Sequence, residues 1–159
     1  MRDISRAAGQ SEAAQQKGRK STQRERLLAG MVAVANRAGY AGANVTAVIT
    51  EAGVSRPTFY EYFSDRDDCF LAALEAAHSS LLGNVRAGIA VAEPADGMTA
   101  AIGELIGFAT REPALARFLT AEPMAGGPRL LGARDQGIDE IAEEIDRAHQ
   151  RAPTTAAIP

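Results

Sequence analysis

The sequence has a single cysteine, Cys69, and no tryptophan. One thiol excludes an intramolecular disulfide and any zinc cluster built on several cysteines. Aromatic residues make up only 5% of the 159 residues, and alternation of apolar and polar positions is missing, so sandwiches and barrels are excluded. No apolar run approaches the roughly 18 residues of a membrane span, and the polar, basic N-terminus lacks the apolar core of a secretory signal. The expected location is therefore cytoplasmic. What the chain does have is alanine, about a fifth of all residues, the strongest helix former. Hydrophobic residues at 46% and charged residues at 23% complete the profile of a globular protein able to bury a core.

The net charge of -3 conceals an asymmetry: residues 1–66 carry 10 Lys and Arg against 6 Asp and Glu, and residues 67–159 carry 7 against 14. A basic front and an acidic back suit an anion-binding head joined to a body with another task. Residues 1–20 show no sustained apolar periodicity and end in Lys17, Arg19 and Lys20. They are expected to form a flexible basic arm, either a solvated tail or a segment that tracks along DNA. From Ser21 a helical stripe of Leu27, Met31, Val34, Ala35 and Ala38 runs to a stop at Gly39. Asn44 caps a short second helix with Val45, Val48, Ile49 and Ala52, which ends at Gly53. Ser55 caps a third over residues 56–62, where Pro57 is tolerated in the first turn and Phe59 and Phe63 lie four apart. Two short helices joined by a glycine turn and packed on a longer one make a tri-helical helix-turn-helix unit.

After Ser64, with Asp67 at the capping-box position and Asp65 and Asp68 suiting the helix dipole, a fourth helix carries Phe70, Ala73, Leu74, Ala77, Leu81 and Val85. Pro94 and Gly97 end that pattern. A fifth helix is read from Met98, Ile102, Leu105 and Ala109, a short sixth from Leu115, Phe118 and Leu119, and a last one over Pro128 to Gln150. Its stripe of Leu131, Ile138, Ile141, Ile145 and Ala148 must be buried, and folding back over the body is expected rather than pairing with a second copy. The fold class is all-α. The division is an arm over 1–20, a DNA-binding head over 21–66, a helical regulatory body over 67–150 and a coil tail over 151–159.

The segment VTAVITEAGVSRPTFYEYFSDRDDCF, Val45 to Phe70, resembles the DNA-binding head of the TetR/AcrR family of transcriptional regulators. The matching features are Ile49, the turn Ala52-Gly53-Val54-Ser55, Thr58, Tyr60, Tyr62-Phe63 and a basic residue at Arg66, while Thr50 and Cys69 depart from the usual pattern. The resemblance is specific over residues 21–85. It implies a regulator, most often a repressor, which binds a palindromic operator as a homodimer and is released by a small-molecule effector. It also implies two further long helices forming a dimer interface; the chain ends near where they would begin, so the body is expected to be truncated or to dimerise by other means.

An α-helix fits the major groove and its first residues reach base edges, so Arg56 is placed to donate to guanine and Thr58 to meet a phosphate or a thymine methyl. By resemblance, Tyr60 and Tyr62 grip phosphates on either side of the groove. Arg66 opposes the dipole of the helix it opens, which either a phosphate at that end or an ion pair with a flanking aspartate explains. Thr46, Ser55 and Pro57 complete the candidate DNA-contacting set. Leu81, Met98, Ile102, Leu105, Phe108 and Phe118 are the candidate lining of an effector pocket. No catalytic residue, metal site or cofactor is expected: Cys69 and His78 fall on opposite sides of one helix, and the acidic residues of the back half lack metal-ligand spacing. The alternative function is a non-catalytic helical protein that binds a ligand or partner and whose head no longer reads DNA.

Overall fold

A computed structural model of the chain describes the backbone of residues 3–152 and the side chains of residues 22–152. Among these residues seven helices follow in order: α1 (Asp3–Gly42), α2 (Val45–Ala52), α3 (Arg56–Tyr62), α4 (Arg66–Val91), α5 (Gly97–Arg111), α6 (Pro113–Thr120) and α7 (Gly127–Arg151). Short 3-10 turns at Pro94–Asp96 and Glu122–Ala125 precede α5 and α7. No strand occurs among the described residues, in keeping with the all-α reading.

Helix α1 starts far earlier than the apolar pattern does. The backbone is helical from Asp3, where the sequence led us to expect an arm up to residue 20. Residues 3–20 hold several alanines and no proline, so nothing there breaks a helix, although they have no apolar face to bury. Their side chains, like residues 1–2 and the expected coil at 153–159, lie outside the described part. The predicted stop at Gly39 is real: its φ of 72° and ψ of 172° interrupt the helical backbone, a conformation that side-chain-bearing residues rarely adopt.

The head assembles from short-range bonds. Asn44 accepts a hydrogen bond from the N–H of Ala47 and caps α2, which Gly53 ends in the left-handed conformation at φ 61°. Ser55 accepts from the N–H of Thr58 and caps α3. The predicted cap of α4 is corrected by one residue. Asp65 is the cap and accepts from the N–H of Asp68, whose own carboxylate accepts from the backbone N–H of Ser64 at 2.9 Å. This reciprocal pair satisfies two otherwise orphaned donors, as in a capping box.

Head and body share one core. Leu27, Met31, Val34, Val48, Phe59 and Phe70 are fully or almost fully buried in the same cluster as Leu74, Val85, Phe118 and Leu130. Helix α4 is the central member and packs against α1, α5, α6 and α7; its whole predicted stripe from Phe70 to Val85 is buried. The predicted stripe of α5 is not. Gly97, Ala101 and Phe108 are the residues it buries, whereas Met98 is 41% and Ile102 44% exposed. Both faces of α5 carry apolar residues, and packing on α4 selects the one with Gly97, Ala101 and Phe108. Helix α7 folds back onto α4 and α5, as expected, burying Ile141 and Ala148. It also buries Leu130 in place of the expected Leu131, and leaves Ile138 44% exposed.

Candidate nucleic-acid interface

The start of α3 stands free of the core on one side. Arg56 and Pro57 are exposed and Thr58 is half-buried, while Phe59 on the opposite side is fully buried. The Phe59 and Phe63 rings lie 5.6 Å apart and hold α3 against the head. Arg56 donates from Nη2 to the Thr46 hydroxyl at 2.7 Å, joining the first turn of α2 to the first turn of α3. Thr46 is exposed, and its carbonyl accepts from the Thr50 hydroxyl at 2.8 Å. The Ser55 and Thr58 hydroxyls lie 2.8 Å apart. Thr46, Ser55, Arg56, Pro57 and Thr58 thus form one small polar surface of hydroxyls and a guanidinium. Tyr60, 51% exposed, extends it with its ring set edge-on to Phe59.

The remaining two candidates are engaged inside the protein. Tyr62 is half-buried and its hydroxyl donates to Oε1 of Gln23 at 3.4 Å, tying α3 to α1. Arg66 donates from Nε to Asp67 at 3.0 Å and from Nη2 to the Tyr40 hydroxyl at 2.7 Å, with its guanidinium 4.3 Å above the Tyr40 ring. Of the two readings open for Arg66, the geometry is that of the ion pair. The Tyr40 hydroxyl donates to the same Asp67 carboxylate at 2.7 Å, closing a triangle. Burial acts against the charge on Asp67, yet the hydrogen bonds from Tyr40 and Arg66 outweigh it and hold the carboxyl below its ordinary range. Burial and the Asp67 hydrogen bond push the Tyr40 phenol up. Arg66 holds its proton more firmly than usual despite burial, through the same partners.

Tyr40 is the residue that pattern reading undervalued. Its backbone N–H, released by the break at Gly39, donates at 3.1 Å to Glu122, a buried carboxylate in the turn before α7. Its ring meets Phe70 edge-on at 5.3 Å, and Phe70 meets Phe118 at 4.6 Å. One side chain therefore links the end of the head, the start of α4 and the body. An aromatic residue directly after a helix-ending glycine was the available signal. Arg26 was missed as well: it donates to the Gly53 carbonyl at 3.0 Å and supports the turn between α2 and α3 from α1.

In the body, Leu81, Leu105 and Phe108 come together around a cavity of about 180 Å³, whose lining also includes His78, Thr120 and Ile141. The other predicted pocket residues do not line it. Phe118 is fully buried in the core, and Met98 and Ile102 lie at the surface. A larger groove of about 410 Å³ between α1, α4 and α6 is lined by Leu28, Val32, Ala73, Ala77 and Leu115, none of them predicted. Cys69 is fully buried, and burial pushes its thiol up to about 12, so it is not a nucleophile at neutral pH. No described helix is long and apolar enough to cross a membrane.

Residues 27–73 match the family model of bacterial regulatory proteins of the tetR family. No curated protein sequence matches the chain. Among solved structures it is similar to the fatty acid degradation regulator FadR of Bacillus halodurans, with 16% identity and a TM-score of 0.72 over 79% of this chain and 68% of that one. It is similar also to FadR of Bacillus subtilis in complex with stearoyl-CoA, with 15% identity and a TM-score of 0.71 over 84% and 75% of the two chains. A TetR transcriptional regulator of Streptomyces coelicolor shares 27% identity at a TM-score of 0.51, over 81% of this chain and 73% of that one. The sequence match to bacterial regulatory proteins of the tetR family thus covers the helix-turn-helix head, and the helical body is similar to the solved regulators in fold.

Proposed function

We propose that the protein is a transcriptional repressor that binds a palindromic operator as a homodimer and releases it when a small molecule enters the body. The observation that carries this reading is the exposed surface at the start of α3, where Arg56 is held by Thr46 beside Ser55, Pro57 and Thr58. A guanidinium fixed at the first turn of an exposed helix suits bidentate recognition of guanine in the major groove. Tyr60 adds an exposed phenol for a phosphate contact. Tyr62 and Arg66 act chiefly by orienting α3 and α4, and meet phosphate only with the faces their internal bonds leave open.

Dimerisation is supported by Met98, Ile102 and Ile106, which line up at intervals of one turn on the outer face of α5 and are 41%, 44% and 64% exposed. One short recognition helix contacts few bases, and paired heads reach adjacent major grooves about 34–36 Å apart. The body supplies the effector site. Its cavity of about 180 Å³ is too small for a ligand the size of the stearoyl-CoA bound by the Bacillus subtilis relative, which points to a different effector. The route from body to head runs through Tyr40, which binds Glu122 on one side and Asp67 on the other. An effector that prefers a body arrangement incompatible with operator-spaced heads shifts the population away from DNA.

The test is a fluorescence titration of the full chain against duplex fragments at several salt concentrations. Operator binding should weaken steeply with salt, as phosphate neutralisation releases counterions. Salt-independent binding, or no preference among sequences, would sink the proposal.

A further inference from the structure

Among the described residues three polar or charged side chains are buried: His78, Glu122 and Glu144. Two have partners that account for them. Glu122 accepts from the Tyr40 N–H and pairs with Arg117, and Glu144 accepts from Arg86 at 2.8 Å and Arg147 at 2.9 Å. His78, only 8% exposed, has no recorded hydrogen bond to any described residue. Its ring lies directly over Gly137 of α7, where any side chain would collide with it. Glycine at that position, otherwise a weakness in a long helix, lets α7 approach close enough to enclose the imidazole.

The imidazole, without a hydrogen-bond partner among the described residues, is left to bind a group that enters the cavity it lines. The walls favour an organic molecule over a water. Leu81, Leu105, Phe108, Leu119 and Ile141 make apolar walls that hold water poorly, and the exposed Ala109, Thr120 and Ile138 at the rim leave the cavity open to a molecule entering from solvent. The one hydroxyl in the lining, on Thr120, already donates to the Ala116 carbonyl at 2.9 Å. No lysine or arginine lines the cavity, and the charged group acting on His78 is the acidic Glu140. An anion would be desolvated there without compensation. At about 180 Å³ the cavity is close in size to the roughly 150 Å³ apolar cavity that accepts benzene, and below the roughly 300–1,000 Å³ of ordinary ligand pockets. The larger groove beside α1 lacks such a group, since its polar residues Ser80 and Glu112 are exposed to water.

We propose that this cavity binds a compact, uncharged single-ring molecule of the phenol class, its hydroxyl donating to the His78 imidazole and its ring held among Leu81, Leu105, Phe108 and Ile141. The assignment rests on the reading of the body as the effector-binding half of a regulator. Its test separates the two. Calorimetric titration of the full chain with phenol, toluene and benzoate should show phenol binding one molecule per chain, about tenfold more tightly than toluene, because the matched hydrogen bond is lost with the latter. Benzoate should not bind. His78→Leu should lower phenol to the level of toluene, and His78→Gln, which keeps a hydrogen-bonding group, should retain part of the difference. Ala116→Leu, which narrows the cavity, should abolish binding of both in a chain that still melts cooperatively.

Three results overturn the proposal: no phenol binding to the natural chain, equal affinity for phenol and toluene, or benzoate binding as tightly as phenol. Phenol binding left unchanged by both His78 variants overturns the role of the imidazole. Phenol binding that depends on His78 but leaves operator affinity unmoved supports the ligand assignment and instead removes the regulatory reading.

Discussion

In the head each short helix carries its own cap, and in the body almost none does. Asn44, Ser55 and Asp65 each accept a hydrogen bond from an N–H three residues on, fixing where α2, α3 and α4 begin. The residues before α5, α6 and α7, namely Asp96, Glu112 and Gly126, make no side-chain cap bond. Helices as short as α2 and α3 are not stable alone, so the head combines local caps with Phe59 and Phe63 in the core. The body relies on packing against α4. The head should therefore hold its shape through changes that loosen the body, a useful property under the proposed reading of the head as a DNA reader and the body as a sensor.

The largest expected effect is on the body side. Ile141→Asp places a charge in the contact of α7 with α4 and should cost at least about 3 kcal/mol. Thermal melting would show it, with mass by light scattering unchanged. A clean shift from dimer to folded monomer would instead make α7 the interface between copies. Next comes the joint between the halves: Tyr40→Phe removes the hydroxyl that bridges Asp67 and Arg66, leaving them less satisfied at a cost of about 1–3 kcal/mol. Urea unfolding measures this, and two transitions in place of one would show that the head outlives the body.

Arg56→Ala should weaken operator binding by about 1–3 kcal/mol and relax one base preference, with melting unchanged because the side chain is exposed. An equal loss on every sequence would reassign Arg56 to phosphate. Acid sharpens the comparison further. Burial holds His78 below its ordinary 6.5, opposed by Glu140, so the unfolded chain takes up the proton more readily. This contribution is complete above pH 6.5 and declines as pH falls from there toward the folded value. Glu144 is held below its ordinary 4.5 by hydrogen bonds from Arg86 and Arg147, and its contribution is lost as pH falls from 4.5 through the lower folded value. Hydrogen exchange followed downward from pH 7 should show α7 losing protection before α2 and α3. The smallest effect belongs to Ile102→Ser on the outer face of α5, within about 0.5 kcal/mol on the monomer. A fall in dimer mass at unchanged melting would place the interface there.

How far the sequence could be read follows the same division. The limits of α2 and α3, their caps at Asn44 and Ser55 and the break at Gly39 were legible, because each depends on residues within one turn. Thr46 and Arg56 were legible as candidate DNA contacts from their places at the starts of α2 and α3, though the bond between them was not. The fate of Arg66 was left open, because a flanking aspartate and a phosphate satisfy the same local rule. It took Tyr40, 26 residues earlier, to bind Arg66 into the triangle.

By itself, then, the sequence determined the all-α class, the caps and ends of α2 and α3, and which side of α3 is polar, since propensity, capping and periodicity act over three or four residues. The tertiary structure alone decided which apolar face of α5 is buried, since Met98 and Ile102 compete with Gly97, Ala101 and Phe108 and only contact with α4 breaks the tie. It alone also set Glu122 against Tyr40 and Gly137 against His78. Those pairings join residues far apart in the chain, and no local preference encodes the distance between two helices until both are packed.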